Sequence, residues 1–95
     1  MLYDTRLTPA PGEVWRHFKG NLYKIICIAQ NTEDASDKRV IYHKLNSTDQ
    51  TVYDRALSMF MSETDRKKYP LEKFPEYTQK YRFMRVNENG SVRES

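Results

Sequence analysis

The chain has a single cysteine, Cys27, so neither an intrachain disulfide nor a cysteine-rich zinc site can form, and a reducing compartment is expected. Long apolar runs are also missing. Residues 25–29 make the longest one, and the opening Met1-Leu2-Tyr3-Asp4-Thr5-Arg6-Leu7 has no continuous hydrophobic stretch. A spanning helix takes roughly 20 apolar residues and a signal-peptide core about 7 to 15, so the reading is a cytoplasmic protein without a membrane partner. Glycine occurs three times and proline four times, and there is no low-complexity tract, heptad or internal repeat. The phosphate-loop, dinucleotide, nucleophile-elbow and zinc-protease signatures are absent as well.

What remains is rich in rings. Aromatics make up 13% of the 95 residues, through seven Tyr, four Phe and Trp15, against 38% hydrophobic and 31% charged residues overall. Each buried aromatic removes about 150 to 250 Å² from water, enough for a compact core in a chain of one-domain length, and disorder is not expected. Sixteen Lys and Arg against thirteen Asp and Glu leave a net charge of +3. That balance permits an anionic partner without requiring one.

The pattern along the chain is that of strands. Thr8-Pro9-Ala10-Pro11-Gly12 is extended or turning, because proline fixes φ and pushes its predecessor out of the helical region. Strands are expected over 14–19 and 22–30, joined by a two-residue Gly20-Asn21 turn. That register sets Phe18 opposite Tyr23, Arg16 opposite Ile25 and Trp15 opposite Ile26. It assigns Val14, Phe18, Tyr23, Ile25, Cys27 and Ala29 to the core face, and Trp15, His17, Lys19 and Lys24 to a mixed outer face. A third strand is expected over 38–45 and a fourth from Thr51, with a helical turn or strand start at 56–61 and a final strand over 79–86. Short polar links leave no room for crossover helices and imply antiparallel pairing. The fold class is therefore all-β: a small SH3-like barrel or roll of five to six antiparallel strands with a short helical turn. Residues 1–10 are an N-terminal extension, 11–86 the single β-barrel domain and 87–95 a flexible tail.

The run Pro11-Gly12-Glu13-Val14-Trp15-Arg16-His17-Phe18-Lys19-Gly20-Asn21-Leu22-Tyr23 follows roughly a pattern P-G-x-[Y/W]-x-H-[F/Y]-K-G-x-x-Y and matches nearly every fixed position, with one residue more between Gly12 and Trp15. It resembles the opening of a family of small bacterial proteins, the domain of unknown function 1653 family. Val40-Ile41-Tyr42 is similar to that family's V-V-Y strand, and the run from Tyr53 to Phe60 to its W-x-R-P-x-x-M-F segment, with Tyr53 in place of Trp and Ala56 in place of Pro. The resemblance implies an SH3-like barrel. It implies no activity, cofactor or catalytic residue.

The residues suggest several chemistries, each weighed against a structural role. Cys27 with His17 or His43 has the composition of a thiolate and base, but Cys27 sits in an apolar run with no neighbouring cation to lower its pKa, and an inert thiol is the better reading. His17 and His43 supply two metal ligands where zinc takes about four, so no metal site is assigned. Trp15, His17, Lys19 and Lys24 together suit a planar ring or an anion. Arg55, between Tyr53 and the 57–60 turn, suits a carboxylate or phosphate fork, with an internal pair to Glu63 or Glu13 as the structural alternative. Residues 66–85 carry seven cations, among them Lys80 and Arg82, interleaved with Tyr69, Phe74, Tyr77, Tyr81 and Phe83. That is the composition of a single-stranded nucleic acid surface, and equally of a solvated face.

The leading reading is a non-enzymatic binding or interaction module with no catalytic residue, cofactor or metal, presenting Trp15, His17, Lys24, Arg55, Lys80 and Arg82 to a protein, peptide or small ligand. The alternatives are single-stranded nucleic acid on the 66–85 segment, or a small-ligand or hydrolytic pocket around His17, Arg55 and Cys27.

Overall fold

Alternation of apolar and polar side chains from Val14 onward produces five strands and almost no helix. The computed structural model describes residues 7–87. Strands β1 (Val14–His17), β2 (Leu22–Gln30), β3 (Lys38–Lys44), β4 (Val52–Ala56) and β5 (Phe83–Arg85) form one sheet in the order β4-β3-β2-β1-β5, and helix α1 (Leu57–Phe60) lies between β4 and β5 in sequence. Every pairing is antiparallel. The all-β class holds, and this strand order is compatible with an SH3-like roll. Residues 1–6 of the expected extension and 88–95 of the expected tail lie outside the described residues.

The first hairpin differs from its expected register. The chain turns at Gly20, but through three residues instead of two: the His17 amide donates to the Asn21 carbonyl at 2.9 Å and the Gly20 amide to the His17 carbonyl at 2.8 Å. Gly20 has φ 106, the left-handed position that closes a three-residue connection and that side chains other than glycine resist. Trp15 therefore faces Tyr23 and Arg16 faces Leu22. The pairing moves by three residues, an odd number, so the strands exchange partners between faces. Trp15 joins Tyr23 and Ile25 inside, while Val14 and Arg16 take the other side.

A second irregularity lies in β2. Ile25 faces Tyr42 while Cys27 faces Ile41, so Ile26 is an extra residue in the ladder. The bulge reverses the inside-outside alternation. Ile25 points inward before it and Ile28, opposite Val40, packs against the core after it. Cys27 and Ala29, expected inside, go to the other face.

The core is Trp15, Ile25, Val40, Tyr42, Phe60 and Phe83. The short α1 delivers Phe60 onto the inner face of the sheet, where it stacks on Phe83 with centroids 4.0 Å apart and meets Trp15 and Tyr42 edge-on at 5.5 and 5.6 Å. Phe18, expected in this core, is buried in a separate cluster. It packs on Tyr69 and Tyr77 at 5.1 and 5.4 Å, and Tyr77 stacks on Phe74. The hairpin tip is thereby tied to the excursion between α1 and β5.

That excursion is held by polar side chains. Buried Thr64 donates from Oγ1 to the Gln79 carbonyl at 2.8 Å. Arg66 donates to the carbonyls of Tyr77 at 2.6 Å, Gln79 at 3.1 Å and Tyr69 at 3.4 Å. The last strand is shorter than its alternation suggests: Tyr81 pairs with Glu63 in an isolated bridge outside the ladder, and the chain bends at Arg82 before β5 begins.

Candidate functional site

Strand alternation decides which side chains meet. Val40 and Tyr42 of β3 face inward, so their partners on β4, Arg55 and Tyr53, face inward as well. On β1, His17 follows Trp15 by two residues and pairs with Phe83 of β5. Sheet curvature then brings the edge strands together: the Arg55 guanidinium lies over the Phe83 ring at 5.6 Å, and the His17 imidazole meets the same ring edge-on at 5.0 Å. Arg55 Nε also donates to the Tyr42 hydroxyl at 3.3 Å. Tyr23 and Tyr53 stand perpendicular to each other at 6.3 Å beside Tyr42.

The electrostatics of this end of the sheet are one-sided. Half-burial, and after it the positive charges of Arg55, Lys19 and Arg82 in that order, together lower the His17 pKa to about 4. His17 is therefore a neutral ring at physiological pH. Its Nδ1 accepts a hydrogen bond from the Lys19 amide at 3.2 Å, which leaves the ring proton on Nε2 as a donor. The Lys19 ammonium hydrogen-bonds the Tyr69 phenol, an arrangement that raises the lysine pKa and lowers that of the phenol. Arg82 donates from Nε to Ser62 Oγ at 3.2 Å. Among the described residues no carboxylate pairs with Arg55, Arg82 or Lys19.

The expected carboxylate partner of Arg55 is therefore not there. Glu13 is engaged elsewhere: one oxygen accepts from the Ala10 amide at 2.9 Å and from Trp15 Nε1 at 3.1 Å, and the other pairs with Arg85 at 3.2 Å. Glu63 is exposed and forms its bridge to Tyr81. A half-buried guanidinium thus uses one N–H on a neutral hydroxyl, with its two terminal amino groups uncommitted.

Of the six residues expected to form a site, the structure brings His17 and Arg55 onto one Phe83 ring, and Arg82 adds its charge to the field around His17 while its Nε is held by Ser62. Trp15 is 2% exposed and belongs to the core. Lys24 faces Val14 and His43 on the opposite side of the sheet. Lys80 is exposed, with its ammonium over the neighbouring Tyr81 ring at 5.4 Å. Cys27 is half-buried on the face away from His17 and Arg55, so the hydrolytic constellation is not assembled. The basic 66–85 segment is also partly committed, with Arg66 on backbone carbonyls, Arg82 on Ser62 and Arg85 on Glu13. Tyr23 and Tyr53 were absent from the sequence-based set. The signal that would have found Tyr53 is its two-residue spacing from Arg55 on a strand.

Two clefts, of about 390 and 520 Å³, are lined by none of the six expected residues. Among the described residues, no three of His, Cys, Asp and Glu stand where they could hold a metal ion, and no helix is long and apolar enough to cross a membrane.

A family model described as a protein of unknown function, DUF1653, matches residues 13–85. No curated protein and no solved structure matches the chain.

Proposed function

We propose, for a chain that belongs to the DUF1653 family, that it is a binding module whose ligand carries an anionic group seated between Arg55 and Arg82 beside neutral His17. The observation that carries this reading is the half-buried Arg55 guanidinium, held over Phe83 beside His17 with no carboxylate paired to it among the described residues, while Lys19 and Arg82 add positive charge around the same imidazole. Leaving like charges together without a counterion costs stability. An incoming anion removes that repulsion and finds planar guanidinium donors, which suit carboxylate and phosphate oxygens. The aromatic floor of Phe83, Tyr42 and Tyr23 fixes the geometry without supplying acid, base or nucleophile, so binding fits this site better than catalysis.

Sulfate titration at constant ionic strength, with chloride as the balancing salt, tests the reading by backbone amide chemical shifts. Saturable shifts are expected at His17, Arg55 and Arg82, and Arg55→Lys is expected to weaken binding about tenfold by replacing the fork with a point charge. Shifts that scale linearly with sulfate and spread over the whole surface would remove the proposal. Single-stranded nucleic acid on the 66–85 segment is a weaker reading, since several of its cations already serve the fold.

A further inference from the structure

Resting on that anion site, we infer that its ligand is a nucleotide unit, with the phosphate on Arg55 and the base against Tyr53. Both residues belong to β4, two positions apart on the same inward face of an edge strand. Two residues of a strand advance about 6.6 Å, close to the span that one sugar places between a base and its phosphate. Tyr42 organises the pair from below. Its ring packs on Tyr53 at 5.7 Å, and its hydroxyl accepts from Arg55 Nε at 3.3 Å, which occupies Nε and leaves the two terminal amino groups of the guanidinium as donors.

Tyr53 has the exposure that stacking needs. It keeps 38% of its surface open at the sheet edge, whereas Tyr42 below it keeps 4%. Tyr23 stands perpendicular to it, at 90° between ring planes and 6.3 Å between centroids, and holds the ring in place. A purely inorganic anion leaves Tyr53 unused, and an aliphatic carboxylate offers it nothing planar. A nucleotide satisfies both groups: the phosphate takes the forked donors, and the base stacks on the exposed part of the Tyr53 ring. Each base has such a face, so this arrangement reads the unit and not its sequence.

Calorimetric titration of the full chain with adenosine monophosphate, ribose 5-phosphate, adenosine and inorganic phosphate tests the inference. Adenosine monophosphate is expected to bind about tenfold or more tightly than ribose 5-phosphate, the usual effect of one stacked base. Tyr53→Leu is expected to erase that ratio while leaving ribose 5-phosphate unchanged, and Tyr53→Trp to preserve it. Equal binding of the two phosphates overturns the nucleotide assignment and leaves the anion site standing. Absence of binding by any phosphate compound overturns both. Adenosine binding as tightly as its monophosphate also overturns the inference, because Arg55 is then idle. An octathymidylate that binds more tightly than the mononucleotide and weakens steeply with salt assigns the unit to a single strand; otherwise the free nucleotide is the ligand.

Discussion

The guanidinium of Arg55 rests 5.6 Å above the ring of Phe83, although the two residues sit on opposite edge strands of a five-stranded sheet. This contact, with Phe60 packed beneath it, joins the edges through side chains where no backbone ladder does. Arg55→Ala removes the cation–π contact and the hydrogen bond to Tyr42, and a loss of about 1 to 2 kcal/mol is expected. At roughly 4 to 8 °C per kcal/mol for a domain of this size, thermal denaturation should show it clearly. A double-mutant cycle with Phe83→Leu should return a coupling of about 0.5 to 1 kcal/mol. Additive losses would mean that the contact is incidental.

Phe60 is fully buried and reaches the core from a helix of only four residues. So short a helix has no independent stability. Phe60→Ala should cost about 3 to 5 kcal/mol and loosen α1 together with the β4 to β5 excursion. Urea denaturation followed by hydrogen exchange at Met61 and Ser62 measures both. A loss below about 1 kcal/mol would show that neighbouring rings fill the space.

The His17 pKa fixes the direction of a pH dependence. The unfolded chain takes a proton at this ring near pH 6.5, whereas the folded chain does so only near 4, because of burial and then the charges of Arg55, Lys19 and Arg82. Between these values the unfolded state holds more protons, so stability falls as pH drops from 6.5 and the loss is complete near 4. The ring is half solvated, and screening holds the change to about 1 to 2 kcal/mol. Folding free energies at pH 7 and 4.5 should diverge between wild type and His17→Gln by that amount. Parallel pH profiles would contradict the assignment.

The same linkage predicts the behaviour of the anion site. Sulfate keeps its charge over this range, and its presence beside Arg55, Lys19 and Arg82 offsets the field that disfavours the imidazolium. Its binding should therefore tighten as pH falls toward the folded His17 pKa of about 4, and the His17→Gln variant should bind with a flatter profile. Proton uptake on binding, read from calorimetry in two buffers, is the direct check. Release of protons would place the anion elsewhere.

Gly20→Ala tests the turn. An added Cβ meets no atom within 4 Å, so the cost comes from φ 106 alone. A loss of about 1 to 2 kcal/mol is expected by equilibrium denaturation. No change would indicate that the connection relaxes to a different turn.

Much of the strand content was legible because alternation, turn residues and the absence of room for crossovers all agree from Val14 to Ala56. The register was not. Gly20 marks the reversal, but glycine at positive φ serves two- and three-residue turns equally, and an odd shift moved Trp15 from the outer face into the core. The bulge at Ile26 was also hidden, because an unbroken run of Ile, Cys and Ala looks the same on either face. Among the site residues, His17, Arg55 and Arg82 stood out by chemical type. Their convergence depends on curvature that brings β4 near β5, which no local pattern encodes. Tyr53 has the sequence context of an ordinary strand aromatic, and its pairing with Tyr42 follows from the β3 to β4 register.

The extra residue at Ile26 leaves β2 with two halves that keep opposite phase. Before it, odd-numbered positions are constrained by packing and even-numbered ones are free; after it, the rule inverts. A random mutational library scored for folding should therefore tolerate charge at Lys24 and reject it at Ile25, yet tolerate it at Cys27 and reject it at Ile28. Deleting Ile26 would bring the halves into step and drive one of them to present its apolar side to water.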